Sequence, residues 1–128
     1  MASRFTELIV DCLDTERVAN FWMAVLDYRV TDRGPRGEIE LSGPDRAAPK
    51  LVFVTVPEPK AVKNRLHIDV NPVGNDQEAE LSRLLALGAR KVDVGQSPSV
   101  SWVVLADPED NEFCLLHARA DAPAGGGA

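Results

Sequence analysis

The chain has 128 residues, with 14 Lys+Arg against 20 Asp+Glu, a net charge of −6 and a hydrophobic content of 45%. That length suits one compact domain that buries a core without disulfides or a structural metal. The acidic balance and scattered Lys and Arg argue against a nucleic-acid surface, and no stretch approaches the ~18 apolar residues of a membrane span.

Residues 5–12 alternate in polarity. Leu8, Val10 and Cys12 fall on one face, and Glu7, Ile9 and Asp11 on the other, which is the period of a half-buried strand. Asp14 then reads as an N-cap. Val18, Phe21, Trp22, Val25 and Leu26 form one apolar stripe on a helix of about three turns, which ends at Asp27. Short β segments are predicted at Tyr28–Asp32, Glu38–Ser42 and Lys50–Val56. The turn signals Gly34-Pro35-Arg36-Gly37 and Gly43-Pro44-Asp45 separate them.

After a linker at residues 57–63 the grammar repeats. Leu66, Ile68 and Val70 alternate with His67, Asp69 and Asn71. Asn75 with Glu78 reads as a capping box. Leu81, Leu84 and Leu85 make the second helix stripe, with Gly88 just past its end. Strands are predicted at Lys91–Val94, Ser101–Ala106 and Glu112–His117. Leu26-Asp27-Tyr28-Arg29-Val30 echoes Leu87-Gly88-Ala89-Arg90-Lys91-Val92 at an offset of about 61 residues, the mark of a repeated unit.

The predicted fold is therefore α+β: two βαβββ repeats whose sheets face each other as a half-barrel cleft, with one helix on the outer face of each sheet. Residues 1–120 form the domain, with modules at 5–56 and 64–118. Residues 121–128 read as a disordered tail. Cys12 and Cys114 lack the spacing of a disulfide framework or metal motif, and no signal peptide precedes the first strand, so both read as free thiols in a reducing cytoplasm.

If the apolar faces of the two leading strands lie under the helices, their other faces line the cleft. Those faces carry Glu7, Ile9 and Asp11 in one half and His67, Asp69 and Asn71 in the other. Unpaired charges are costly to bury, so this is either a wet ligand site or a set of mutually paired groups. Trp102 either lines the cavity, stacking on a planar ligand, or packs in the core.

Asp14–Trp22, Leu26–Val30, Asn64–Asp69, Leu84–Ala89 and Asp107-Pro-Glu-Asp-Asn-Glu-Phe113 together resemble the vicinal oxygen chelate superfamily, the glyoxalase and bleomycin-resistance fold, in its glyoxalase-like subgroup common in bacteria. The likeness spans residues 5–118. It implies an Asp-Pro-x-Gly-Asn hairpin in which Asp110 replaces the usual Gly, so a left-handed Asp is expected there.

The resemblance also implies a divalent metal in some members, held by one residue from each of strands 1, 4, 5 and 8. The corresponding positions here are Glu7, Phe53 or Val54, His67 and Cys114. Glu7 and His67 are acceptable ligands for Zn, Fe, Mn, Ni or Co. Their alternative is an inner-face ion pair. Cys114 is a third ligand, a nucleophile served by His67, or inert packing.

The functional expectation is a small-molecule binding protein of the resistance type. Its ligand lies in the inter-module cleft against Glu7, Asp11, His67, Asp69, Trp102 and Cys114, without a complete metal site. The alternatives are a metal-dependent lyase, isomerase or dioxygenase, or a metal-free acid–base catalyst. A homodimer is common in the resembled family.

Overall fold

The computed structural model describes residues 1–117. The last residue expected in the second module, at 118, and the tail expected at 121–128 lie outside the described residues. The described residues divide into two compact units, the first Met1–Ala61 and the second beginning at Val62.

The first unit runs β1 (Glu7–Cys12), α1 (Thr15–Leu26), β2 (Arg29–Arg33), β3 (Ile39–Ser42) and β4 (Lys50–Thr55). Its sheet has the order β1-β4-β3-β2, with β1 parallel to β4 and the other neighbours antiparallel. In-register pairs carry the alternation across the sheet. Leu8 sits beside Leu51 and Val10 beside Phe53, while Ile39 and Leu41 continue the same rows. Ile39, Leu41, Leu51 and Phe53 are buried. Against them α1 lays Val18, Ala19, Phe21 and Trp22, also buried. Phe21 and Trp22 meet edge to face with ring centroids 5.3 Å apart, an arrangement the ring quadrupoles favour.

The helix limits follow from two aspartates. The Asp14 side chain accepts the Arg17 N–H at 3.1 Å, closing the first turn. Asp27 ends α1 in the left-handed conformation with φ 57°, its N–H bonded to the Met23 carbonyl. Gly43 lies against the Tyr28 ring so closely that a Cβ there would stand 2.6 Å from Cε1. The Tyr28 hydroxyl donates to the Pro49 carbonyl at 2.9 Å, pinning the β3–β4 connection to the helix exit.

The second unit repeats the plan as β5 (Ile68–Val70), α2 (Gln77–Leu87), β6 (Arg90–Lys91), β7 (Val103–Ala106) and β8 (Glu112–Leu115). Its sheet order is β5-β8-β7-β6, with β5 parallel to β8. Leu84, Leu105, Phe113 and Leu115 form the centre of its core. Gly88 ends α2 with φ 119°, the counterpart of Asp27. The two four-stranded sheets, each with its helix, give the α+β, two-module fold that the repeat implies.

Three local expectations are corrected. The N-cap of α2 is Asp76, which accepts the Ala79 N–H at 2.8 Å. Asn75, the cap expected from the sequence pattern, instead donates to Glu80 at 3.4 Å. Leu66 is 80% exposed and precedes β5 rather than filling its core face. Leu85 is exposed as well, so the buried stripe of α2 narrows to Leu84 and the Glu80 side chain, with Leu81 half-buried. A buried Glu is tolerable because Arg83 reaches back with two charged hydrogen bonds, at 2.9 and 2.7 Å. Those bonds hold the Glu80 carboxyl below its usual range against the opposing effect of burial.

Among the described residues no helix is long and apolar enough to cross a membrane.

Candidate functional site

The site is built by the register of β5, β7 and β8. Ile68 pairs with Phe113 and Val70 with Leu115, so these four side chains share the core face. Asp69 pairs with Cys114, and Cys114 pairs with Val104, so these three share the opposite face. His67, two residues before Asp69, joins the same side. That face opens on a cavity of about 380 Å³ within the second unit, lined by His67, Asp69, Trp102, Val104, Glu112 and Cys114 together with Lys63 and Gln96. A volume of that order accommodates a small organic molecule.

Polar groups converge at one end. His67 Nε2 lies 3.1 Å from Asp69 Oδ1, both side chains half-exposed. The Cys114 thiol, buried in the β8 ladder, lies within 4.8 Å of the Asp69 carboxylate. Burial pushes the thiol pKa up, the Asp69 carboxylate pushes it further, and Lys63 pulls it back in part. Without a bound cation Cys114 is therefore a thiol, which disfavours a nucleophilic role. Glu112 accepts the Asn64 backbone N–H at 2.9 Å, which ties the segment before β5 to the rim.

Trp102 is 41% exposed and forms an apolar wall of the cavity, whereas Trp22 is 3% exposed in the first core. His117 stands apart, its ring 3.4 Å from Gln77 Oε1. Behind the site the turn Asp107–Asn111 fixes where β8 begins. The buried Asp107 carboxylate accepts the backbone N–H groups of Glu109 and Asn111 at 2.8 and 2.9 Å. Asp110 adopts φ 68°, as its place in the resembled hairpin implies.

Of the residues expected at a site, the structure brings together His67, Asp69, Trp102 and Cys114. Glu7 and Asp11 belong to the first unit, on one face of β1 and in register with Lys50 and Val54. The strand-4 alternatives separate cleanly. Phe53 lies fully buried on the helix side, so the face that carries Glu7 presents Val52 and Val54 instead. A valine has no donor atom, so the four-strand ligand set implied by the resemblance does not fit this chain. Sequence reasoning missed Lys63 and Glu112 as lining residues. Glu112 was open to discovery, because it lies two residues before Cys114 and alternation puts both on one face.

Residues 7–116 match the sequence profile of the family described as a glyoxalase-like domain. No sequence match to a curated protein is found. Among solved structures, the fosfomycin resistance protein FosX of Listeria monocytogenes is similar. A point mutant of it, complexed with Mn(II) and 1S,2S-dihydroxypropylphosphonic acid, superposes with a TM-score of 0.68 at 14% identity, covering 94% of this chain and 93% of that one. FosX of Mesorhizobium loti gives a TM-score of 0.68 at 17% identity, over 92% and 94% of the two chains. A glyoxalase/bleomycin resistance protein/dioxygenase family enzyme from Burkholderia phytofirmans PsJN gives 0.62 at 18% identity, over 88% and 97%. At these identities the likeness is one of fold.

Proposed function

From the premise that the chain belongs to the glyoxalase-like domain family of the vicinal oxygen chelate superfamily, we propose that it binds a small organic molecule in the cavity of its second module. The supporting observation is that one sheet face presents His67, Asp69, Trp102 and Cys114 to a single cavity of about 380 Å³. Trp102 offers a flat apolar wall, and the His67–Asp69 pair with Glu112 offers a polar end. The ligand this suits has a planar apolar body and a cationic or hydrogen-bond-donating head. Asp11 and Glu7 are further acidic residues that we assign to ligand recognition on the first unit's own sheet face. The protein acts in the cytoplasm, as a monomer or a homodimer.

The 3.1 Å contact between His67 and Asp69 favours a second reading. A carboxylate that orients an imidazole makes a general base, able to take a proton beside a carbonyl of the bound molecule.

A thermal-shift screen of cationic antibiotics and aromatic metabolites tests the binding reading. A ligand at 100 times its Kd stabilises the fold by about 2.7 kcal/mol. The expected hit loses its shift in Trp102→Ala and Asp69→Asn. Hits that keep their shifts in both variants would place binding elsewhere. An activity that is lost in His67→Gln while binding persists would select the acid–base reading.

A further inference from the structure

The cavity of the second module has two ends, and strand register assigns residues to each. Ile68 pairs with Phe113, so His67 and Glu112, one residue before each, lie at the same end. Lys63 joins them, because its neighbour Asn64 donates its backbone N–H to Glu112. Val103 pairs with Leu115, so Trp102 and Leu116 lie at the other end. At ~3.3 Å per residue, the four steps from Glu112 to Leu116 give an axis of roughly 13 Å.

The connection between β6 and β7 reaches the Trp102 end. Val92 still donates to the Val104 carbonyl, so the antiparallel chain leaves the ladder heading for Trp102. Val94, Gly95 and Gln96 then line the cavity. From Asp93 to Ser99 every residue is exposed except Gln96, which is half-buried. Gln96 is thus the side chain that this loop turns inward.

The Gln96 amide has a fixed sense. Its Oε1 accepts the Val94 N–H at 2.9 Å. Its Nε2 has no partner among the described residues, and an amide nitrogen only donates. The loop holds this arrangement by its own bonds. Asp93 Oδ1 accepts the Gly95 N–H at 2.7 Å, and Ser97 Oγ accepts the Ser99 N–H at 3.2 Å. Gly95 supplies the reversal with φ 89°, which glycine adopts without strain. A donor held in place before binding loses little freedom on binding.

We propose that Gln96 sets the specificity of this cavity, donating from Nε2 to a hydrogen-bond acceptor at the far end of the ligand. The proposal rests on the small-molecule reading and narrows it to a class. The ligand is an elongated planar molecule with a cationic head among His67, Asp69 and Glu112. Its body lies on Trp102, and a carbonyl or similar acceptor stands roughly 13 Å from the head. Because Gln96 is half-buried, water serves Nε2 when the acceptor is missing. The preference is therefore that of one neutral hydrogen bond, about three- to tenfold in affinity.

The test is calorimetric titration of the full chain with three probes on one para-aminomethylbiphenyl frame. The distal para position carries hydrogen (the parent probe), acetyl or a second aminomethyl group. Wild type should bind the acetyl probe about three- to tenfold more tightly than the parent. Gln96→Ala should abolish that preference. Gln96→Glu keeps an oxygen for the Val94 N–H but offers the cavity a charged acceptor, so it should prefer the diamine to the acetyl probe. A substitution that merely disturbed the loop would lose the preference without reversing it. The inference is overturned by equal binding of the acetyl and parent probes to wild type, by an acetyl preference that survives in Gln96→Ala, or by no reversal in Gln96→Glu. In each of those cases, parent binding that is weakened in Trp102→Ala leaves the small-molecule reading standing. If no probe binds wild type, or the parent binds Trp102→Ala and Asp69→Asn as tightly as wild type, the small-molecule reading fails and this inference fails with it.

Discussion

Asp69 and Cys114 are in-register partners across the parallel β5–β8 ladder, and the sulfur of one lies within 4.8 Å of a carboxylate oxygen of the other. A buried thiol usually behaves as a small hydrophobe, but here it stands beside an acid that can accept from it. Serine keeps a donor at Cys114, whereas alanine removes it. Cys114→Ala should therefore be less stable than Cys114→Ser by about 1 kcal/mol, a modest figure because half-exposed Asp69 regains water. Urea denaturation of the two variants measures it. Equal midpoints would show that the contact does not stabilise the fold.

The Glu80–Arg83 pair makes stability depend on pH in a defined direction. The hydrogen bonds from Arg83 lower the Glu80 pKa in the fold, outweighing burial. The stabilisation is thus present above the unfolded value and is lost as pH falls through the folded one. At pH 7 Glu80→Gln should cost about 1 kcal/mol, reduced from the full value of a charged bond because Arg83 is partly solvated. The gap between wild type and variant should shrink between about pH 5 and pH 3. A gap constant across that range would mean that the carboxylate charge is not what matters.

The start of α2 separates two caps that lie side by side in sequence. Asp76→Ala should cost about 1 kcal/mol, because the Ala79 N–H loses its acceptor. Glu78→Ala should cost much less, since the capping box read from Asn75 and Glu78 does not form. Thermal melts of both variants decide it. A larger loss at Glu78 would restore the box.

That cap shows where the sequence spoke and where it did not. The repeat was legible because two chain reversals need left-handed residues, Asp27 and Gly88, at the ends of matching helices. The same repeat carries Asp14 onto Asp76 at nearly the same offset, so the correct cap was available by analogy. The capping-box pattern at Asn75 concealed it. The faces of β1 and β5 were legible because polar and apolar residues alternate there. In Trp102-Val103-Val104-Leu105-Ala106 all are apolar, so no pattern says which face is wet. Only pairing with β8 does, by placing Val104 beside Cys114. The Asp69–Cys114 contact was hidden for the same reason, since strand register over a long chain separation leaves no local signal.

Trp102 supplies the most direct optical test of the proposed pocket. The chain has two tryptophans. Trp22 is sealed in the first core at 3% exposure, and Trp102 stands at the cavity with 41%. A quencher such as acrylamide should therefore reach Trp102 and leave Trp22 bright. A planar ligand stacked on the indole should shield Trp102 from it. Trp102→Ala should abolish the quenchable emission and weaken the ligand by about three- to tenfold, the loss expected for one aromatic contact. Trp102→Phe retains a flat face and should recover most of the affinity while lacking the quenchable indole emission. If the ligand binds Trp102→Ala as tightly as wild type, the apolar wall of the site is not Trp102.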